Sequence, residues 1–322
     1  MNPKLTRRWI WLTLLMLLCA ACNPAAAPTT TTAPTEIPAA TQAAVQTITD
    51  DLNRQVTVTL PAQHIVTLGP SIVEGLFAIG AGDQIAGREE FSIYPPAALE
   101  IPSIGSLYGS LPSETILALE PDLVIAPEII SPEQLAALEA LGLTVYYQNN
   151  PTSFPELYQN LRELGVLSGH ENEAEDLITS LEARVQAVEQ AVAGLEARPR
   201  VFYELDATDP ENPYTTGAGT FIDTLIVMAG GENIGAALDS AYAQISSEQI
   251  LLADPEIILL GDAEYGITAA DVAARPGWAD LQAVQSEAIY PFDPNLGSIP
   301  SPRLVDGLET MASIFHPEAF DQ

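Results

Sequence analysis

Few residues in this chain have the type and spacing to make or break covalent bonds. The three histidines, His64, His170 and His316, are scattered along 322 residues and carry no metal-ligand spacing. The only two cysteines, Cys19 and Cys22, sit close together near the start, too few for a disulfide framework or a zinc knuckle. There is no G-x-S-x-G elbow, no H-E-x-x-H helix, no phosphate-binding loop, and no G-x-G-x-x-G turn opening the first helix. We therefore expect no catalytic residues, no metal site and no enzyme activity, with the histidines structural or on the surface. What the loops do hold is aromatic rings beside turn residues. Phe91 and Tyr94 precede Pro95-Pro96, Tyr108 precedes Gly109, Tyr214 lies in a Pro-Tyr-Thr-Thr-Gly turn, and Tyr242 stands just before a helical segment. Rings on loops either pack on their own lobe or offer apolar faces to a ligand at little cost in desolvated charge. Arg88 and Arg303 are the cations nearest these loops in sequence. They either meet an anionic ligand or brace carboxylates, and bracing is the simpler reading in so acidic a chain.

That acidity is large: 11 Lys+Arg against 43 Asp+Glu give a formal charge of −32. A polyanion gains nothing by displacing counterions from phosphates, so nucleic-acid binding is excluded. With 47% hydrophobic and 17% charged residues, the chain buries a real core, sized for two domains. The self-repelling surface favours basic partners and a monomer.

The first residues are an address. Lys4, Arg7 and Arg8 precede an apolar run over residues 9–18, far short of the roughly 20 residues of a membrane span. Ala20 and Ala21 then precede Cys22, a pattern that resembles a bacterial lipoprotein signal, although Cys19 stands where that pattern prefers Leu. The resemblance implies that residues 1–21 are removed and that Cys22 carries the lipid, anchoring the chain on the outer side of the cell membrane. An ordinary secretory signal is the alternative, and either is extracytoplasmic. Residues 22–46, rich in Ala, Pro and Thr, read as a flexible tether.

The rest must position the loops. Val56, Val58 and Leu60 alternate with polar residues after an Asp-Asp-Leu-Asn turn, which predicts a hairpin. Short β-branched runs at 64–68, 123–126 and 144–147 alternate with helical spacing at 72–79, 131–141 and 154–164, the signature of a parallel sheet wound by helices. Residues 173–195 differ: Ala174, Leu177, Ile178, Leu181, Val185, Val188, Val192 and Leu195 form one apolar stripe without a proline. This predicts a single helix of about 35 Å, stopped by Pro199, after which a strand at 200–205 opens a second α/β run. Three heptads are barely enough for a coiled-coil dimer, so a strut between two lobes is preferred. An internal repeat supports two lobes. Residues 113–125, SETILALEPDLVI, align without a gap on 247–259, SEQILLADPEIIL. The shared pattern predicts a helix N-cap, a short helix, a proline stop and a buried strand in each half.

On these residues the chain resembles the ABC-importer substrate-binding proteins for cobalamin, ferric siderophores and haem, the class III type with a helical backbone between lobes. The matching stretches are 64–87 (HIVTLGPSIVEGLFAIGAGDQIAG), the 113–125 copy, 213–234 (PYTTGAGTFIDTLIVMAGGENI), 245–260 (ISSEQILLADPEIILL) and 301–309 (SPRLVDGLE). They span nearly all of residues 47–315, and their order and spacing are more specific than any one motif. The resemblance implies an α/β fold of two Rossmann-like lobes with parallel sheets. The N-terminal lobe would occupy 47–170, one long backbone helix 171–198, and the C-terminal lobe 199–322, with a ligand cleft between the lobes.

It also implies roles. Phe91, Tyr108, Tyr214 and Tyr242 fall where cobalamin binders of the family place ligand-contacting aromatics. Glu114 and Glu248 occupy equivalent places, one per lobe, where the family docks on arginines of a permease dimer that works with a cytoplasmic ATPase. Ordinary helix capping by acid is the plainer alternative for both. Residues 295–299 lack the arginine that some relatives place near the ligand, which favours a less charged chelate, such as a cobalamin-type corrinoid or an Fe(III)-hydroxamate siderophore, over a trianionic catecholate or citrate chelate. A haem receptor of the same class, or a surface scavenging lipoprotein without its own permease, are the alternatives.

Overall fold

The computed structural model describes residues 43–320. The signal segment 1–21, the lipidation expected at Cys22 and the tether as far as residue 42 lie outside the described residues. The described chain opens with the expected hairpin. Strand β1 (Ala44–Thr49) pairs antiparallel with β2 (Gln55–Leu60), whose Val56, Val58 and Leu60 point inward. Asp50 ties the turn, accepting the backbone N–H groups of Leu52 and Arg54 and pairing with the Arg54 guanidinium. Strand β1 starts at Ala44, inside the stretch whose composition reads as tether. Six register partners along β2 hold it there, and composition alone carries no trace of such pairing.

The first lobe is a five-stranded sheet of β3 (Ile65–Thr67), β4 (Ile85–Glu89), β5 (Ser103–Gly105), β6 (Leu123–Pro127) and β7 (Val145–Gln148). All pairs are parallel, in the order β5-β4-β3-β6-β7. Its helices are α1 (Pro70–Ala78), α2 (Ser113–Ala118), α3 (Pro132–Ala140) and α4 (Phe154–Ser168). A parallel sheet covered on both faces needs apolar strands throughout, and every residue of β3 and β6 is buried.

Helix α5 (Glu171–Val192) follows, 22 residues or about 33 Å, burying Ala174, Ile178, Leu181, Val185 and Val188. It ends six residues short of 198, because nothing packs on the exposed stretch from Gly194 to Ala197. The second lobe comprises β8 (Arg200–Glu204), β9 (Tyr214–Thr216), α6 (Phe221–Met228), β10 (Glu232–Asn233), β11 (Tyr242–Gln244), α7 (Ser247–Ala253), β12 (Ile257–Leu260) and β13 (Ile289–Pro291). Its parallel sheet runs β10-β8-β12-β13, and β9 and β11 form a separate antiparallel ribbon.

The lobes are not simply held apart by a rod. One continuous apolar cluster runs from Leu76 and Leu161 through Ile178 and Val185 to Tyr203, Leu308 and Met311. Each sheet keeps a smaller core of its own on its other face, around Val124 and Leu135 in one lobe and around Phe202 and Trp278 in the other. Helix Leu304–Phe315 packs on both α5 and α6, so the strut is buried along its apolar stripe.

The repeat holds as backbone but not as a cap. Residues Glu120 and Asp254, at equivalent places before Pro121 and Pro255, share a left-handed φ of 47°, so the chain turns before the proline rather than at it. Ser113 and Ser247 are the first helical residues, not caps. Ser246 caps α7 with Gln249 in a reciprocal box, whereas the corresponding Pro112 offers no side-chain acceptor.

Candidate binding cleft

A cavity of about 280 Å³ opens where the carboxyl ends of β3, β6 and β7 meet residues 298–300 of the second lobe. Strand ends and their loops leave backbone and side chains free for a ligand, which is why open α/β sheets bind there. Gly69 allows the close packing of this edge: a Cβ on it would stand 2.8 Å from Pro127 Cγ. Phe91 and Tyr108 line one wall, their rings edge to face with centroids 5.7 Å apart, and both are largely exposed. Leu68, Leu107, Ile129 and Pro300 make most of the remaining wall apolar.

The loop carrying Phe91 is fixed from beneath. Buried Glu89 accepts the Phe91 N–H and the Ser92 hydroxyl, both at 2.9 Å. Arg88 is also buried, and its guanidinium donates to the carbonyls of Ala98 (2.7 Å), Glu89 and Glu90 (3.1 Å each). It therefore braces loop carbonyls, not the carboxylates that composition suggested. The reason is local: the chain folds back over Arg88 and its carbonyls need donors once buried.

Arg303 does brace a carboxylate, and across the lobes. Its Nε donates to Glu74 on α1 at 2.8 Å, a second nitrogen reaches the other carboxylate oxygen, and the Ser301 hydroxyl joins them. The guanidinium also lies 4.0 Å above the Tyr94 ring. Tyr94 is thus committed to this clamp and does not line the cavity.

A second cavity, about 720 Å³ and open, lies on the second lobe at the carboxyl ends of β8 and β12. Tyr214 lines it together with Tyr265, Asp206 and Asp262. Phe292 N–H pairs with Leu260 O, so β12 delivers Asp262 to the same sheet edge from which residues 293–300 lead to the first cavity. Asp262 is buried; its Oδ2 accepts the Ala207 N–H at 3.0 Å, while its Oδ1 has no hydrogen-bond partner. Burial pushes its pKa up. Asp206 is exposed, and hydrogen bonds from Thr208 hold its carboxyl below the usual range. One residue before Leu205, buried Glu204 forms a two-bond pair with Arg275, whose guanidinium sits 4.7 Å from the Trp278 ring. Burial nonetheless leaves the Glu204 pKa raised against the pull of Arg275.

The structure therefore brings Phe91 and Tyr108 together, sets Tyr214 in a second wall, and places Tyr242 on β11 opposite Thr216, lining neither cavity. Tyr265 escaped the sequence reading, although a signal existed. Tyr108-Gly109 and Tyr265-Gly266 are the same dipeptide, each glycine left-handed with φ of 100° and 94°. Glu114 and Glu248 stand exposed in the first turns of α2 and α7. Glu248 borders a surface groove with Glu211, and Leu252, one turn on, is 88% exposed. Among the described residues no group of three or more His, Cys, Asp or Glu side chains has the arrangement to hold a metal ion, and no helix is long and apolar enough to cross a membrane.

Two parallel-sheet lobes on one helix, with cavities at the strand ends, define a two-lobed binding protein of the helical-backbone class. Residues 65–296 match the family model described as periplasmic binding protein, and the chain belongs to that family. It is 30% identical over 281 residues to the uncharacterized ABC transporter substrate-binding lipoprotein YvrC of Bacillus subtilis, covering 86% of this chain and 87% of that protein. It is 31% identical over 255 residues to the vitamin B12-binding protein of Vibrio cholerae, covering 79% and 89%. Among solved structures, the periplasmic heme-binding protein RhuT from Roseiflexus sp. RS-1 superposes with a TM-score of 0.71 at 28% identity, over 80% of this chain and 99% of that one.

Proposed function

We propose that this chain is the substrate-binding lipoprotein of an ABC importer, capturing a metal chelate between its lobes and delivering it to a permease dimer driven by a cytoplasmic ATPase. The observation that carries the reading is the cleft itself: an apolar, ring-lined pocket on one lobe and a tyrosine- and acid-lined pocket on the other, both at strand ends of lobes joined through one core. A chelate is large, with apolar faces and a polar rim, and matches such a split wall. The names of its relatives, a vitamin B12-binding protein and a heme-binding protein, support the same class of cargo. Phe91, Tyr108 and Tyr214 contact the ligand, with Tyr242 at the margin. The chain acts as a monomer outside the cytoplasm, held at the membrane by lipid on Cys22.

Glu114 and Glu248 dock the two lobes on the permease. Their exposure in equivalent first turns supports this. Exposed ion pairs contribute little affinity each but set register and encounter rate. The test is uptake of a labelled chelate by cells carrying Glu114→Arg with Glu248→Arg, alongside chelate affinity of the purified variant. Loss of uptake with unchanged affinity is expected. Undiminished uptake overturns the docking assignment, and failure to bind cyanocobalamin, haemin or ferric hydroxamates overturns the cargo class.

A further inference from the structure

The two cavities, taken as the walls of the proposed cleft, differ in chemistry. Rings and aliphatic groups dominate the first; the second has Asp206, Asp262, Tyr214 and Tyr265, and no Arg or Lys lines either cavity. The arginines closest by are already engaged: Arg88 with carbonyls, Arg275 with Glu204, Arg303 with Glu74. A ligand entering here meets hydroxyl and amide groups and carboxylates, but no cation. One of those carboxylates is conspicuous, since Asp262 is 4% exposed and its Oδ1 has no donor within the chain. A buried acceptor without a donor is costly, and a donor arriving with the ligand removes that cost.

We infer that Asp262, with Asp206 at the mouth, makes the second wall a reader of hydrogen-bond donors, so that the cleft takes chelates whose rim bears amide or ammonium N–H groups and rejects those whose rim bears carboxylates. This rests on the cargo class proposed above and narrows it. The apolar wall accepts the face of the chelate, which many chelates share. Discrimination belongs to the rim, because a carboxylate there would be desolvated beside like charge with no cation to meet it. A site built around a buried acceptor discriminates far better than an apolar pocket does, since the wrong rim leaves that acceptor unpaired.

The experiment is titration of the full chain in detergent micelles, followed by tyrosine and tryptophan fluorescence, with four probes. Dicyanocobinamide and dicyanocobyrinic acid share a corrin ring and differ in amide against carboxylate rims. Ferrioxamine B carries an ammonium on a hydroxamate chelate, and haemin carries two carboxylates. We expect cobinamide to bind at least about 100-fold more tightly than cobyrinic acid, with haemin weak. Asp262→Asn turns the open acceptor into a donor and narrows that gap by about tenfold or more, while Asp206→Asn, at an exposed site, narrows it less. Ferrioxamine B binding with the same response to Asp262→Asn supports the donor reading on a second scaffold and marks hydroxamates as the source. Cobyrinic acid or haemin binding as tightly as cobinamide, or a gap that neither variant moves, overturns the inference while leaving the importer reading in place. Binding of none of the four overturns both.

Discussion

Strands β4, β3, β6 and β7 of the first lobe have counterparts in β10, β8, β12 and β13 of the second, in the same order, and only the first lobe adds an edge strand, β5. The correspondence reaches individual backbone groups. Asp122 accepts the N–H of His64, and Glu256, its partner in the repeat, accepts the N–H of Arg200. Yet the cavities at the ends of these matched sheets differ, one lined by Phe91 and Tyr108 among aliphatic groups, the other by Asp206 and Asp262 beside Tyr214 and Tyr265. A duplicated scaffold keeps what backbone pairing and core packing require. Loops beyond the strand ends carry no such constraint and are free to specialise.

The charged pairs show the same divergence. Arg303–Glu74 spans the lobes, whereas Arg275–Glu204 stays within one. Both are largely buried, so Arg303→Ala and Arg275→Ala should each cost about 3–5 kcal/mol in denaturant unfolding, by stranding a carboxylate. Only Arg303→Ala should also enlarge the radius of gyration of the ligand-free protein in X-ray scattering. Equal scattering from both variants would remove the distinction between a clamp and a local brace.

Truncating rings ranks next. Phe91→Ala with Tyr108→Ala should weaken chelate binding by about 30-fold or more, roughly 2 kcal/mol, because edge-to-face rings and their buried area are lost together. Tyr242→Ala should move affinity by less than about threefold. A Tyr242 effect as large as that of the pair would mean that the ribbon, not the first wall, holds the ligand. A smaller contrast lies in the repeat. Ser246→Ala removes the cap of α7 and should cost about 1 kcal/mol, while Ser113→Ala, inside the first turn of α2, should cost next to nothing; thermal melts of the two variants decide it.

The mildest effect concerns pH. Burial raises the Asp262 pKa above its ordinary 3.8, so the folded state holds that proton more tightly than the unfolded one. Its contribution to stability is therefore present at low pH and lost as pH rises through the folded value. Asp262→Asn removes this dependence. Its melting temperature should match the parent near pH 3 and exceed it by a degree or two at pH 7. A variant less stable at pH 7 would show that the unpartnered oxygen is satisfied in the free protein.

Much of this was legible in the sequence, because it depends on periodicity. The stripe from Ala174 to Val188, the alternation of Val56, Val58 and Leu60, and the 113–125 and 247–259 copies each encode an element whose buried face is set by spacing. The pair Phe91 and Tyr108 was visible as rings beside turn residues. Strand β1 was not, since Ala44 to Thr49 borrows its order from β2, and Tyr265 was missed in a loop where no period exists.

By itself, then, the amino-acid order determined two α/β lobes, one helix between them and an acidic character, for apolar spacing and charge are local properties of a chain. Only the tertiary structure decided that Arg88 serves carbonyls and Arg303 serves Glu74. It alone placed Tyr94 under that clamp, left Tyr242 outside both cavities and buried Asp262 with an oxygen to spare. Partners for side chains are chosen by what long-range folding brings within 3 Å, and no pattern along the chain records that choice.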